Sequence, residues 1–72
     1  MVEKDPIAVK IGINLKDARI DRRLTQLEVA DLIGKKSNYY AKLERGEARP
    51  SLKTLEKLVH VLQVRSSDIL PF

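Results

Sequence analysis

The stretch from Thr25 to Gly46, TQLEVADLIGKKSNYYAKLERG, leaves the backbone few choices. Thr25-Gln26-Leu27-Glu28 has the spacing of a capping box, in which the threonine hydroxyl accepts from the backbone N–H of Glu28 and the glutamate reaches back to the N–H of Thr25. A helix is predicted to start there, with Leu27, Ala30, Leu32 and Ile33 as its buried side. Gly34 ends it, because glycine tolerates the left-handed conformation at a helix C-terminus. A further helix from about Ser37 to Arg45 stops at Gly46. The rest of the chain reads as the scaffold that holds this pair of short helices.

On the N-terminal side, Pro6 suits the first turn of a helix reaching about Arg22, since its fixed φ and missing N–H are harmless there. Ile7, Ile11, Leu15 and Ala18 recur at helical spacing and form one apolar stripe. Gly12 interrupts it and is expected to weaken the helix by about 1 kcal/mol relative to Ala, so that the turns before Ile13 fray. On the C-terminal side, Pro50 disfavours helix at Arg49, and Ser51 is a good N-cap for a helix carrying Leu52, Leu55, Leu58, Val59 and Leu62. Ser66-Ser67-Asp68 then caps one last short turn before Pro71. With no strand pattern and no repeat, the expected fold is all-α, five short helices around one small core.

At 72 residues the chain is expected to be one domain spanning 1–72, and one of marginal stability, because so short a chain buries only about 60% of its unfolded surface. It has no Cys and a single His60, which leaves no disulfide, no thiolate nucleophile and no ligand set for a metal. His60 falls outside the apolar stripe of its helix and reads as solvent-facing. There are no paired carboxylates in an apolar run and no Gly-rich phosphate loop, so an enzyme is not expected, nor is a cofactor. No stretch approaches the roughly 18 apolar residues of a membrane span, which implies a soluble, cytoplasmic protein.

The charge is uneven. Between Lys35 and Lys53 stand six bases, Lys35, Lys36, Lys42, Arg45, Arg49 and Lys53, against only Glu44 and Glu47, which accounts for the whole net charge of +4. A positive patch this local suits phosphate contact, although a merely solvated basic face would look the same by charge alone. An α-helix matches the major groove of B-DNA, roughly 12 Å wide, and a helix-turn-helix places the first residues of its second helix at base edges. Ser37, Asn38, Tyr39 and Lys42 are therefore the expected base readers. Asn38 is the sharpest, since an amide can pair bidentately with adenine. Ser37 can serve instead as the helix cap. Tyr39 and Tyr40 point about 100° apart, so Tyr40, three residues before Leu43, is assigned to the core and Tyr39 to the DNA side. Gln26, at the positive end of its helix, and Lys35, Lys36, Arg45 and Arg49 are the expected contacts to the DNA backbone.

These residues resemble the Cro/CI-type, or XRE-like, helix-turn-helix family of prokaryotic transcriptional regulators. The resemblance covers about residues 11–70. It rests on T-Q-x-E-V-A at Thr25 to Ala30, the turn glycine Gly34, L-E-R-G at Leu43 to Gly46, R-P-S at Arg49 to Ser51, and the fourth helix leading into S-D-I-L. It implies the compact five-helix lambda-repressor-like fold and an internal salt bridge between Arg19 and Glu44. Three positions depart from the pattern: Arg23 stands where the family usually has glycine, Lys35 where it has an apolar residue, and Lys36 where it has a Ser or Thr cap. Ser37 is expected to take over that cap.

The resemblance implies a sequence-specific DNA-binding transcriptional regulator, in the first instance a repressor, that binds a palindromic operator in double-stranded DNA as a homodimer. Val61, Val64, Ile69, Leu70 and Phe72 are the apolar candidates for the dimer contact, unless they finish the core. The competing reading is an antitoxin or adaptor whose main partner is a protein, with DNA binding secondary.

Overall fold

Asp5 opens the first helix in the computed structural model, which describes residues 5–72. Its carboxylate accepts from the Ile7 N–H at 3.0 Å, Pro6 takes the first helical position, and α1 runs Pro6–Asp21. α2 (Gln26–Ile33) begins at the capping box, with Glu28 N–H donating to Thr25 Oγ1 at 3.0 Å and Thr25 N–H to Glu28 Oε1 at 2.9 Å. The backbone N–H of Thr25 holds the Glu28 carboxyl below its ordinary range. Gly34, at φ +72°, ends α2, and α3 follows as Ser37–Glu44. α4 (Leu52–Leu62) is capped by Ser51, whose hydroxyl accepts from Thr54 N–H at 3.1 Å. α5 is the single turn Ser66–Ile69, started by the Asp68 carboxylate reaching back to the Arg65 N–H at 2.9 Å. Among the described residues there is no strand, and no helix is long and apolar enough to cross a membrane.

One core joins all five helices, with Leu15, Val29, Ile33, Tyr40, Leu43, Leu58, Leu62 and Ile69 fully buried. Three leucines expected inside are outside. α2 turns Val29, Ala30 and Ile33 inward, and at about 100° per residue Leu27 and Leu32 fall on the two flanks of that face. In α4 the buried face is Thr54, Leu55, Leu58 and Leu62, which leaves Leu52 in the first turn 82% exposed.

Gly12 does not fray the first helix. α1 is continuous through it, and a Cβ at this position would collide with the backbone carbonyl oxygens of Leu43 and Glu44. The missing side chain lets α1 cross the C-terminal end of α3 at backbone contact. The next turn of the crossing uses Gly46, at φ +75°, where a Cβ would collide with Val9.

Helix C-termini are closed by side chains from distant elements. Arg22 Nε donates to the Leu62 carbonyl at 3.1 Å, finishing α4, and Asn14 Nδ2 donates to Ile69 O at 2.8 Å, finishing α5. Arg23 itself sits at φ +57°, a left-handed conformation that costs a residue with a Cβ about 1 kcal/mol relative to glycine. The glycine usual here in the family therefore has a physical reason, and this chain lacks it. In urea unfolding, Arg23→Gly should raise stability by about 0.5–1 kcal/mol, whereas Gly12→Ala, which forces two backbones apart, should lower it by about 3 kcal/mol.

Candidate nucleic-acid interface

The two helices of the predicted reading unit are locked to α1 by one buried carboxylate. Glu44, in the last turn of α3, has a side chain only 3% exposed. Its Oε2 accepts from Arg19 Nε at 2.7 Å, and its Oε1 accepts from Arg19 Nη2 at 3.1 Å and from Gln26 Nε2 at 3.0 Å. Arg19 also donates through Nη1 to the Leu24 carbonyl at 2.9 Å, which fixes the loop carrying the strained Arg23. A bidentate arginine–carboxylate pair holds direction as well as distance. α1, the start of α2 and the end of α3 are thereby set in one geometry.

Burial works to raise the Glu44 pKa, but the Arg19 guanidinium, with Tyr40 and Gln26 beside it, outweighs that and holds the carboxyl below its ordinary 4.5. The Tyr40 ring fills the core next to this pair, and its hydroxyl is buried without a hydrogen bond of normal geometry. Desolvation, reinforced by the Glu44 carboxylate, pushes the phenol far above its usual range.

With Tyr40 and Leu43 turned inward, α3 presents Asn38 and Lys42 on the opposite, exposed face, while Ser37, one turn before Tyr40, is exposed because it opens the helix. Ser37 is not the cap. Lys36 occupies the cap position without a side-chain hydrogen bond, and Ser37 is the first residue inside the helix. The reason is geometric: a serine already in helical conformation has its hydroxyl past the N–H groups that a cap must reach. Tyr39 is half-buried against the core edge, with the Lys35 ammonium over its ring at 5.7 Å from the centroid. The ammonium thus makes a cation–π contact with that ring.

The residues expected at phosphates are less uniform than their charge suggests. Lys35, Lys36, Lys42 and Lys53 are exposed, and among the described residues no carboxylate pairs with them. Arg45 is paired with Glu47, Nε to Oε2 at 2.6 Å, and Arg49 with Asp5. Gln26, expected on a phosphate, donates one amide N–H to Glu44, which holds its head group at the start of α2. Nothing in the sequence marked Asp5 as a partner for Arg49, because 44 residues separate them.

Among the proposed dimer contacts Ile69 is wrong. It is fully buried, since the single turn of α5 has one residue to insert and Ile69 is that residue. Val61, Val64 and Leu70 pack partly against the core, and Phe72 is 83% exposed.

Five helices with an exposed polar face on a rigidly held third helix define a helix-turn-helix domain, and the chain belongs to that family: a helix-turn-helix family model matches residues 15–69. Its relatives include YonR of Bacillus subtilis (strain 168), an SPbeta prophage-derived uncharacterized HTH-type transcriptional regulator, 42% identical over 59 residues that cover 82% of this chain and 54% of that protein. The immunity repressor protein of Bacillus phage phi105 is 36% identical over 59 residues, covering 82% of this chain and 41% of its own length. The chain thus spans about half the length of the curated relatives it matches. Among solved structures, the restriction-modification controller protein C.AhdI from Aeromonas hydrophila superposes with a TM-score of 0.82 at 30% identity, over 88% of this chain and 96% of that one.

A carboxyl whose pKa is lowered by folding stabilises the protein above its unfolded pKa and ceases to do so as pH falls through the folded value. The Glu44 contribution is therefore complete above about pH 5 and is lost progressively below 4.5. Glu44→Gln, which leaves Arg19 uncompensated, should cost about 3 kcal/mol at neutral pH. Its thermal midpoint should also fall less steeply between pH 5 and pH 3 than that of the wild type; a parallel acid limb in the two proteins would contradict the assignment.

Proposed function

We propose that the chain is a sequence-specific DNA-binding transcriptional regulator, acting as a repressor in the cytoplasm by occupying an operator. The observation that carries this reading is the division of α3 into a buried face, Tyr40 and Leu43, and an exposed one, Asn38 and Lys42, with Lys35, Lys36 and Ser37 exposed at its start. Asn38 and Lys42 are one turn apart on that exposed face, where a helix lying in the major groove meets successive base pairs. Asn38 reads adenine through its amide, Lys42 donates to guanine or to a phosphate, and Ser37, freed from capping, and Tyr39 reach the flanking base edges. Gln26, Lys35, Lys36, Arg45 and Arg49 contact the backbone, each adding to affinity but not to specificity, and the four cations among them also add to its salt dependence.

One helix reads only a few base pairs, so the protein binds as a homodimer on a palindrome with half-sites roughly 34 to 36 Å apart. Val61, Val64, Leu70 and Phe72 remain as contact candidates once Ile69 is assigned to the core. The names of the phi105 immunity repressor and of the C.AhdI controller support a regulatory role.

The test is selection of the purified protein against a randomised duplex pool at physiological salt. A palindrome with half-sites one turn apart is the expected product. Bound DNA without an enriched sequence, or no binding together with a co-purifying protein, would favour a protein-directed module instead. On the recovered operator, Asn38→Ala should lose about 1–3 kcal/mol and relax the preference at one position per half-site, whereas Arg49→Ala should weaken all duplexes alike. Equal losses on every sequence for both variants would remove Asn38 from the base-reading set.

A further inference from the structure

Arg49 lies in the loop between α3 and α4, and its side chain is 55% exposed. Its guanidinium meets Asp5 side-on: Nε donates to Asp5 Oδ2 and Nη2 donates to Asp5 Oδ1 at 3.0 Å. The same Oδ1 accepts from the Ile7 backbone N–H at 3.0 Å, so the carboxylate that holds Arg49 is itself fixed to the first turn of α1. That turn cannot drift from the loop, because α1 crosses the end of α3 at Gly12 and Gly46 with backbone in contact.

Among the described residues these are the hydrogen bonds of the Arg49 side chain. They use Nε–H and one Nη2–H. Of the five donors of a guanidinium, both Nη1–H groups and the second Nη2–H remain, and that Nη2–H with one Nη1–H forms the end-on edge, a fork that matches two oxygens of a phosphate. A carboxylate gripping the side-on edge leaves this second edge open and stops the long side chain from sampling its many rotamers.

We infer that Asp5 is a positioning residue for DNA binding, presenting the end-on edge of Arg49 to a backbone phosphate. The assignment rests on the DNA-binding reading above and adds to it a residue outside the reading helices. It also has a counterintuitive sign. Removing a negative charge from a DNA-binding surface ordinarily tightens binding, and here it loosens it.

The experiment measures binding of the full chain to a fluorescent mixed-sequence DNA duplex across a range of salt, for the wild type, Asp5→Asn, Arg49→Ala and the double variant. Asparagine caps a helix as well as aspartate does, so α1 keeps its start; Asp5→Ser, which also caps but cannot reach Arg49 with two oxygens, serves as the second variant. Arg49→Ala should flatten the slope of log affinity against log salt by about 0.9 for each phosphate that Arg49 neutralises. Asp5→Asn and Asp5→Ser should each weaken binding about threefold and flatten the slope by a smaller amount, and neither change should have an effect once Arg49 is alanine. The assignment is overturned if Asp5→Asn binds more tightly than the wild type, if its loss persists in the Arg49→Ala background, or if Arg49→Ala itself changes nothing in a chain that binds the duplex. A wild-type chain that fails to bind the duplex overturns the DNA-binding reading, and this assignment with it.

Discussion

The arrangement depends on a single buried carboxylate. Glu44 collects three hydrogen bonds, two from Arg19 on α1 and one from Gln26 at the start of α2. A helix of eight residues such as α2 or α3 has little stability of its own. Apolar packing holds each of them against the core but is tolerant of small rotations, whereas a bidentate guanidinium–carboxylate pair is directional. The network converts three loosely constrained helix ends into one defined orientation, and that orientation determines which side of α3 faces out. Such a pair need not add much net stability, since both charges are desolvated; its value here lies in geometry.

Around that lock, the fold accepts local costs. Arg23 holds a left-handed backbone without being glycine, α3 starts at Lys36 without a side-chain cap, and the Tyr40 hydroxyl is buried without a well-formed bond. Two of these coincide with places where the chain departs from its family's pattern. At Lys36 the missing cap leaves a further positive charge at the N-terminus of the reading helix, next to Lys35. A capping bond is given up for charge at the point where phosphate contact is proposed.

Much of the architecture was legible beforehand because its signals are local. The capping box at Thr25, the stop at Gly34, the proline at position 6 and the cap at Ser51 are each set by a few neighbouring residues, and each appears where local chemistry puts it. One local assignment failed, the cap expected at Ser37, whose place Lys36 takes; the others that failed needed a neighbour's position. Leu27, Leu32 and Leu52 are apolar and at plausible spacing, yet the core meets a different arc of each helix. Ile69 looked available for a partner and is sealed inside. Gly12 looked like a weak point in a helix and is instead the gap through which α3 passes. For the candidate interface, residue types and spacing marked Asn38 and Lys42, but Asp5 had no signal, since an aspartate before a proline is fully explained as a helix cap.

The sequence by itself determined where the helices begin and end, that they are five, and where the positive charge is concentrated, because capping, glycine and proline conformations and net charge depend on chain neighbours alone. The tertiary structure decided which arc of each helix is buried, that Gly12 is a crossing point, and that Gln26 and Arg49 are held by Glu44 and Asp5. Those outcomes depend on contacts between residues 18 to 44 positions apart, whose geometry follows from how the helices pack and is written in no local stretch of the chain.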